Sequence, residues 1–86
     1  MKSIWPKIIQ ISKNEVYIIA GRTDDDETTT DCFKYLINEN LMKKIHPIQK
    51  SRSAFGLVYL RNSIYVIGGV GWVFSAIKEN EVYDVI

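Results

Sequence analysis

Two short segments of this 86-residue chain carry residues that could bind an ion or a phosphate group. Residues 24–27 are four consecutive carboxylates, and oxygen-rich loops of this kind can hold calcium. The run lacks the ligand spacing and the central glycine of an EF-hand loop, so we interpret it as a solvated surface loop. Residues 68–71 are glycine-rich and follow an apolar run, but they lack the Lys-Ser/Thr pair of a phosphate-binding loop. Neither segment predicts a ligand site.

The single histidine and the single cysteine are the other candidates for metal or acid–base chemistry. His46 has no second histidine and no nearby cysteine to complete a metal site, so we interpret it as a loop residue. Cys32 cannot close an internal disulfide, and no Cys/His zinc cluster exists. We therefore predict no metal and no cofactor, and a cytoplasmic location because a lone thiol fits a reducing compartment.

The composition places the chain among folded globular proteins and excludes several classes of partner. It is 47% hydrophobic and 24% charged with a net charge of +1, so disorder is not expected. Without a large basic field, nucleic acid and a membrane surface are disfavoured as partners. There is no apolar run of signal-peptide length and none of about 18 residues that could span a membrane. We expect one soluble domain of marginal stability, because a chain this short buries little of its surface.

The strongest pattern is an internal repeat with an offset of 48 residues. Residues 16–21, Val-Tyr-Ile-Ile-Ala-Gly, match residues 64–69, Ile-Tyr-Val-Ile-Gly-Gly, so that Tyr17 falls on Tyr65. A fixed period of this size is typical of β-repeat architectures, because helical repeats are shorter. The same offset pairs Ile9, Ile11, Asn14, Tyr35 and Ile37 with Leu57, Tyr59, Asn62, Tyr83 and Val85.

Each copy opens with two strand-like runs joined by a short polar segment. Apolar or β-branched residues fill the four runs, and hairpin-length polar segments join them in pairs. The second run of each copy is apolar on both faces, which predicts cover on both sides, as in sheets stacked on sheets. The four runs are residues 7–11 and 16–20 in the first copy, and residues 55–60 and 64–67 in the second.

A loop and a third strand follow the hairpin in each copy. We predict loops over residues 22–31 and 70–79, and third strands over residues 32–37 and 81–86. The first copy continues, after an Asn-Glu-Asn turn, into a fourth strand over residues 41–45. By this count the chain holds four strands of one sheet and three strands of the next.

The second copy carries a set of residues that resembles a Kelch repeat. In that family an arginine precedes the first strand, a double glycine closes the second, and a Glu-x-Tyr-Asp element lies in the third. The first copy matches less well, with Ala20-Gly21 in place of the double glycine. The matching residues are Arg52, Gly68, Gly69, Glu81, Tyr83 and Asp84 in the second copy, and Gly21 and Tyr35 in the first.

This resemblance implies an all-β fold of antiparallel four-stranded blades in a Kelch-type β-propeller. Residues 1–48 would form a degenerate but full blade, and residues 49–86 would form a second blade without its outer strand, as in a fragment. The glycines would allow positive φ and close backbone approach. Tyr35 and Tyr83 would each bring a large apolar body and one hydroxyl into the packing of the blades, while Arg52 and Asp84 would tie loops to blades through charge-assisted hydrogen bonds.

The loop after the double glycine carries Trp72, Val73 and Phe74, in a place where the family has variable connections that often line a binding face. These residues form a candidate partner-binding loop, since aromatic side chains anchor many interfaces. The alternative, which we favour, is that they pack against a neighbouring blade or a partner chain.

The resemblance implies a protein–protein interaction scaffold or adaptor that is not an enzyme. The alternatives are a fragment of a propeller enzyme of the galactose oxidase or sugar-processing type, and a non-functional truncated gene product. Such an oxidase holds copper through tyrosine and histidine ligands, which one histidine cannot supply. The partner would be a protein of unknown identity, and further blades or self-association would be needed for stability.

Overall fold

The structure is a computed structural model, and it describes residues 5–23, 27–71 and 76–85. Those residues form seven β-strands in two antiparallel sheets, with no helix among them and hence none that could cross a membrane. The first sheet has the order β1-β2-β3-β4 and the second the order β5-β6-β7. The predicted all-β fold, with four strands in one sheet and three in the next, is confirmed. The strands are β1 Lys7–Gln10, β2 Glu15–Arg22, β3 Thr28–Leu36, β4 Leu41–Ile45, β5 Gly56–Leu60, β6 Ser63–Ile67 and β7 Glu81–Asp84.

The prediction of a loop over residues 22–31 is wrong at both ends of that segment. Strand β2 continues to Arg22, and β3 begins at Thr28, which is the register partner of Arg22. The polar composition suggested a loop, but threonine has a high β propensity and Thr28 to Thr30 continue the ladder. A register irregularity between Ile19 and Gly21 lets the two strands extend past the point where the apolar run ends. Residues 24–26 lie outside the described residues.

The second and third strands of the two sheets pair in the same register. Val16 lies opposite Tyr35 and Tyr17 opposite Lys34; 48 residues later, Ile64 lies opposite Tyr83 and Tyr65 opposite Val82. The repeat found in the sequence is therefore a repeat of strand pairing, with Tyr17 and Tyr65 at equivalent places. Since side chains alternate along a strand, equivalent residues also point to the same side of their sheets.

The first hairpins of the two sheets differ by one residue. Tyr17 pairs with Ile9, whereas Tyr65 pairs with Val58, so the predicted match of Ile9 with Leu57 is wrong. The β5–β6 turn consists of Arg61 and Asn62, whose positive φ values of 51° and 65° are those of a tight two-residue hairpin. In the first sheet a hydrogen bond from the amide of Ile11 to the carbonyl of Glu15 closes a turn of three residues, 12–14, and this one-residue difference in turn length shifts the pairing of the strand before it.

The two sheets stack in the same sense. We call the side of each sheet that carries Tyr17 or Tyr65 its front face, and the opposite side its back face. The front face of the first sheet packs on the back face of the second, where Tyr17 meets Tyr83 edge to face with ring centroids 6.2 Å apart. The core between the sheets consists mainly of Tyr17, Ile19 and Cys32 from the first sheet and of Ile64, Val66 and Tyr83 from the second.

Burial of the strand on both sides is found for only one of the two apolar runs. In the first sheet Tyr17 and Ile19 are buried under the second sheet, and Ile18 is buried at the centre of the back face, where no other sheet of the described residues lies on it. In the second sheet Ile64 and Val66 are fully buried, but Tyr65 and Ile67 on the front face are exposed. The prediction of cover on both sides is therefore wrong for residues 64–67 in the part of the chain that the structure describes.

We predict that Cys32 reacts slowly with a thiol reagent while the sheets remain stacked. Its side chain is fully buried in the core between them, and burial raises the pKa of the thiol from 9.0 to about 11. At pH 8 the thiolate fraction alone then falls roughly 100-fold, since each pKa unit is a factor of ten. Labelling is timed with and without urea. Equal rates in the two solutions would contradict the stacking of the sheets.

Candidate functional site

The connection from β6 to β7 forms the candidate site, and its base is well defined. The amide of Gly68 donates to the side-chain oxygen of Asn80 at 2.9 Å, and that of Ile77 donates to the carbonyl of Gly69 at 2.9 Å. Between these bonds, Val70 and Ala76 form an antiparallel bridge. The ends of the loop are thus held together like the strands of a short hairpin. The predicted anchor residues Trp72, Val73 and Phe74 lie outside the described residues.

Arg52 holds both ends of this loop from below. Its guanidinium is fully buried, and Nη1 donates to the carbonyls of Gly68, at 2.9 Å, and Glu79, at 2.8 Å. Nη2 forms an ion pair with Glu81 Oε2 at 2.7 Å, and Nε donates to the carbonyl of Lys50 at 3.2 Å. The planar guanidinium offers five N–H groups in a fixed fork, which suits four acceptors arranged around it. The arginine therefore fixes the two points at which the loop leaves and rejoins the sheet.

The carboxylate of Glu81 completes this arrangement from β7. It accepts hydrogen bonds from the amides of Gln49, at 2.7 Å, and Lys50, at 3.0 Å, while paired with Arg52. A charged acceptor with several donors makes strong, short bonds. The segment between the sheets is thereby tied to the start of β7. Asp84, the other acidic residue of the motif, lies exposed at the end of β7, opposite Ser63.

The two glycines after β6 both have positive φ, but their surroundings differ. Gly68 has a φ of 66°, and nothing lies within 4 Å of the point where a Cβ would be. Gly69 has a φ of 101°, and a Cβ there would lie 2.7 Å from the carbonyl oxygen of Ser53 and 2.9 Å from Cβ of Phe55. Only Gly69 is thus required by both backbone conformation and space.

The first sheet has the same backbone pattern at the equivalent point. Ala20 and Gly21 have φ values of 47° and 101°, close to those of the double glycine 48 residues later. A Cβ on Gly21 would collide with the backbone of Trp5. Ala20 adopts a left-handed conformation despite its side chain, which costs roughly 1 kcal/mol or more and is absorbed by the packing around it.

The two motif tyrosines occupy equivalent positions with different surroundings. Tyr83 lies between the sheets, where its hydroxyl donates to the carbonyl of His46 and its ring stacks on the imidazole at 4.2 Å. Burial raises the pKa of Tyr83 far above its ordinary value. Tyr35 lies on the back face of the first sheet and donates to the side-chain oxygen of Asn40. Tyr83 therefore joins the two sheets, whereas Tyr35 binds within its own sheet.

Arg22 also reaches the candidate loop, and the sequence analysis missed it. Its side chain is buried, and Nη2 donates to the carbonyl of Gly71 at 3.3 Å, across from the first sheet. Beside it lies an open, mainly apolar cleft of about 540 Å³. The sequence feature that could have pointed to Arg22 is Gly21 just before it, because a glycine within a strand often marks a bulge after which the strand continues. Trp5, Pro6, Ile8, Ser53, Ala54 and Val70 are among the residues that line the cleft.

The cleft and the loop base offer mainly apolar side chains and backbone peptide groups. Within residues 5–23, 27–71 and 76–85, no three His, Cys, Asp or Glu side chains come together as a metal site. His46, the one histidine, is exposed beside Tyr83. A cleft of this kind suits an apolar side chain or an extended backbone from a partner.

Comparison with known proteins shows a partial similarity to a curated protein. No model of a known protein family matches the chain. Kelch-like protein 41a of the zebrafish Danio rerio is 36% identical over 61 residues, which cover 70% of this chain and 10% of the relative. The chain thus spans about a tenth of the length of the curated relative that it matches. This similarity supports a Kelch-type relationship, in agreement with the two antiparallel sheets.

We predict that Gly69→Ala destabilises the chain more than Gly68→Ala does. Both variants place a side chain at positive φ, which costs about 1 kcal/mol. Only the methyl group at residue 69 also meets Ser53 and Phe55, so we expect an additional loss of about 1–3 kcal/mol there. The urea midpoint of each variant is measured at one protein concentration. Equal losses would show that close approach at Gly69 does not constrain the loop.

We predict that Arg52→Lys costs about 2–3 kcal/mol of unfolding free energy, although it keeps the charge. A lysine cannot reach Gly68, Glu79 and Glu81 together, and each buried acceptor left without a donor costs about 1–3 kcal/mol. The matched control is Arg61→Lys in the exposed β5–β6 turn, which should stay within about 0.5 kcal/mol of the parent chain. Similar urea midpoints for the two variants would show that the hydrogen bonds of Arg52 to the two ends of the loop do not stabilise the fold.

Proposed function

We propose that this chain forms two repeats of a Kelch-type β-propeller, residues 1–48 and 49–86, and that it serves as a protein–protein interaction scaffold or adaptor. One observation carries the proposal: the two sheets repeat the same strand pairing at 48 residues and stack front to back. Sheets stacked in one sense form a rigid platform, on which loops can be varied for binding without a change in the core.

The candidate partner-binding loop is the β6–β7 connection with Trp72, Val73 and Phe74. Arg52 holds both of its ends, so a partner would meet a loop whose base is already ordered. Preorganisation of this kind lowers the entropy lost on binding. The apolar cleft beside Arg22 lies next to the loop base and could receive an apolar side chain of the same partner.

The role that we propose is non-enzymatic and cytoplasmic, with a protein as the partner and no cofactor. The free thiol of Cys32, buried in the core, suits a reducing compartment. The name of the zebrafish relative supports a Kelch-type role in general terms. It carries no partner over to this chain, so the partner has to be identified by experiment.

We predict that Trp72→Ala combined with Phe74→Ala weakens partner capture without unfolding the chain. Loss of aromatic anchors typically costs about 2 kcal/mol or more, which is roughly a thirtyfold loss of affinity. Proteins captured from lysate by the immobilised chain are identified by mass spectrometry, and the strongest is then titrated against both forms. Circular-dichroism melts are recorded in parallel.

The control for this experiment is Lys13→Ala, a substitution in the exposed β1–β2 connection. It should leave both capture and the melt unchanged. Unchanged capture by the aromatic double variant would remove the loop as the contact surface, and a collapsed melt would show that the aromatics pack inside the fold. Turnover of a sugar or alcohol that the double variant loses would overturn the non-enzymatic role.

A further inference from the structure

The front face of the second sheet is an exposed apolar surface. Five of its side chains, one or more from each of the three strands, are between 37% and 60% exposed. The register places them on one side of the sheet, because Tyr65 lies opposite both Val58 and Val82. A contiguous apolar surface of this kind marks a site of association. Its exposed residues are Val58, Leu60, Tyr65, Ile67 and Val82.

The first sheet shows what covers a front face in this fold. Tyr17 and Ile19, the equivalents of Tyr65 and Ile67, are fully buried because the back face of the second sheet lies on them. Ile9, which pairs with Tyr17 as Val58 pairs with Tyr65, packs against the same core. The molecule therefore contains, position by position, an example of the surface that fits on the exposed front face: the back face of another sheet.

The chain also has a second back face, that of the first sheet. Val16 and Tyr35 are the equivalents there of the core residues Ile64 and Tyr83. Exposure is highest in the two outer strands, where Ile8 is 63% exposed and Met42 is 44% exposed. Ile8 and Met42 share this face with Val16, Ile18, Phe33 and Tyr35 through the strand register.

Each of the two faces that no sheet of the described residues covers has an apolar residue at a position where the corresponding face inside the chain has a charge. Where the covered front face has Lys34, the exposed front face has Val82. Where the covered back face has Glu81, the other back face has Phe33. A contact between the two uncovered faces therefore buries neither of these charges, and charges that the two faces do carry, Asp84 on the front and Lys44 on the back, lie at exposed positions.

We propose that the chain binds a second copy of itself head to tail, with the front face of the second sheet of one copy against the back face of the first sheet of the next. The contact is heterologous, because two different surfaces meet. It continues the stacking already present within the chain. It lies apart from the β6–β7 loop and shares only Ile8 with the cleft beside Arg22, so it goes beyond the proposed function and does not depend on it.

The test uses two variants of the whole chain, each with one face blocked by charges at exposed positions. The front-blocked variant carries Val58→Lys and Val82→Lys, and the back-blocked variant carries Gln10→Lys and Met42→Lys. Lysine on both keeps the two blocked faces from attracting each other. Analytical ultracentrifugation measures the mass of each variant alone and of the equimolar mixture.

We expect the parent chain to sediment well above its monomer mass of 9.9 kDa, by an amount that depends on concentration. Each variant alone should associate at least tenfold more weakly. The mixture should form a one-to-one pair of twice the monomer mass and grow no further, because only one unblocked front and one unblocked back remain. Protection of Cys32 from labelling verifies that each variant keeps its stacked sheets.

Three outcomes would overturn the proposal. The first is a parent chain that stays monomeric at millimolar concentration. The second is a back-blocked variant that still dimerises alone, which would indicate a symmetric front-to-front contact. The third is a mixture that fails to pair. If a lysine variant loses Cys32 protection, Tyr65→Ser and Met42→Ser replace the blocking pairs, and their mixture must again associate more strongly than either variant alone.

Discussion

The buried guanidinium of Arg52 is the interaction on which the loop end of the second sheet depends. It joins the segment between the sheets to the end of β6 and to the start of β7, through Gly68, Glu79 and Glu81. A buried ion pair adds little net stability compared with apolar packing, but removal of one partner is costly. Its effect here is to fix one arrangement of the backbone. That arrangement requires a glycine at residue 69, because the carbonyl of Ser53, next to Arg52, lies too close to leave room for a side chain there.

The loop end and the sheet stack are coupled through the segment between the sheets. Residues near the end of that segment bind the loop, while His46 near its start receives the hydroxyl and the ring of Tyr83. The same ten residues therefore set both the spacing of the sheets and the base of the candidate loop. In the role that we propose, a partner bound at the loop would act on a base that cannot shift independently of the core.

The sequence predicted strands and repeats well, because these depend on local residue types. The two Val/Ile-rich runs and the glycines after them sufficed to place β2 and β6 in register. The sequence-based prediction failed where the structure depends on which residues pair across strands. Thr28 belongs to β3 because it pairs with Arg22. Ile9 does not correspond to Leu57, because the first hairpin of the second sheet has a turn that is one residue shorter. The partners of Arg52 and Arg22 lie up to 49 residues away, so no local pattern could name them.

The front-to-back stacking of the sheets also determines how such a chain can be lengthened by further sheets. Each added unit hides the front it meets and presents a new front of its own, so the area left open stays constant as units accumulate. Duplication of a 48-residue segment would therefore need no change in the residues of either outer face, since each copy carries both a front face and a back face. Symmetric dimers lack this property, because the same surface of both copies is buried in the contact and none is left to bind a third copy. Such a series ends without any change of surface when it closes, so that the last front meets the first back.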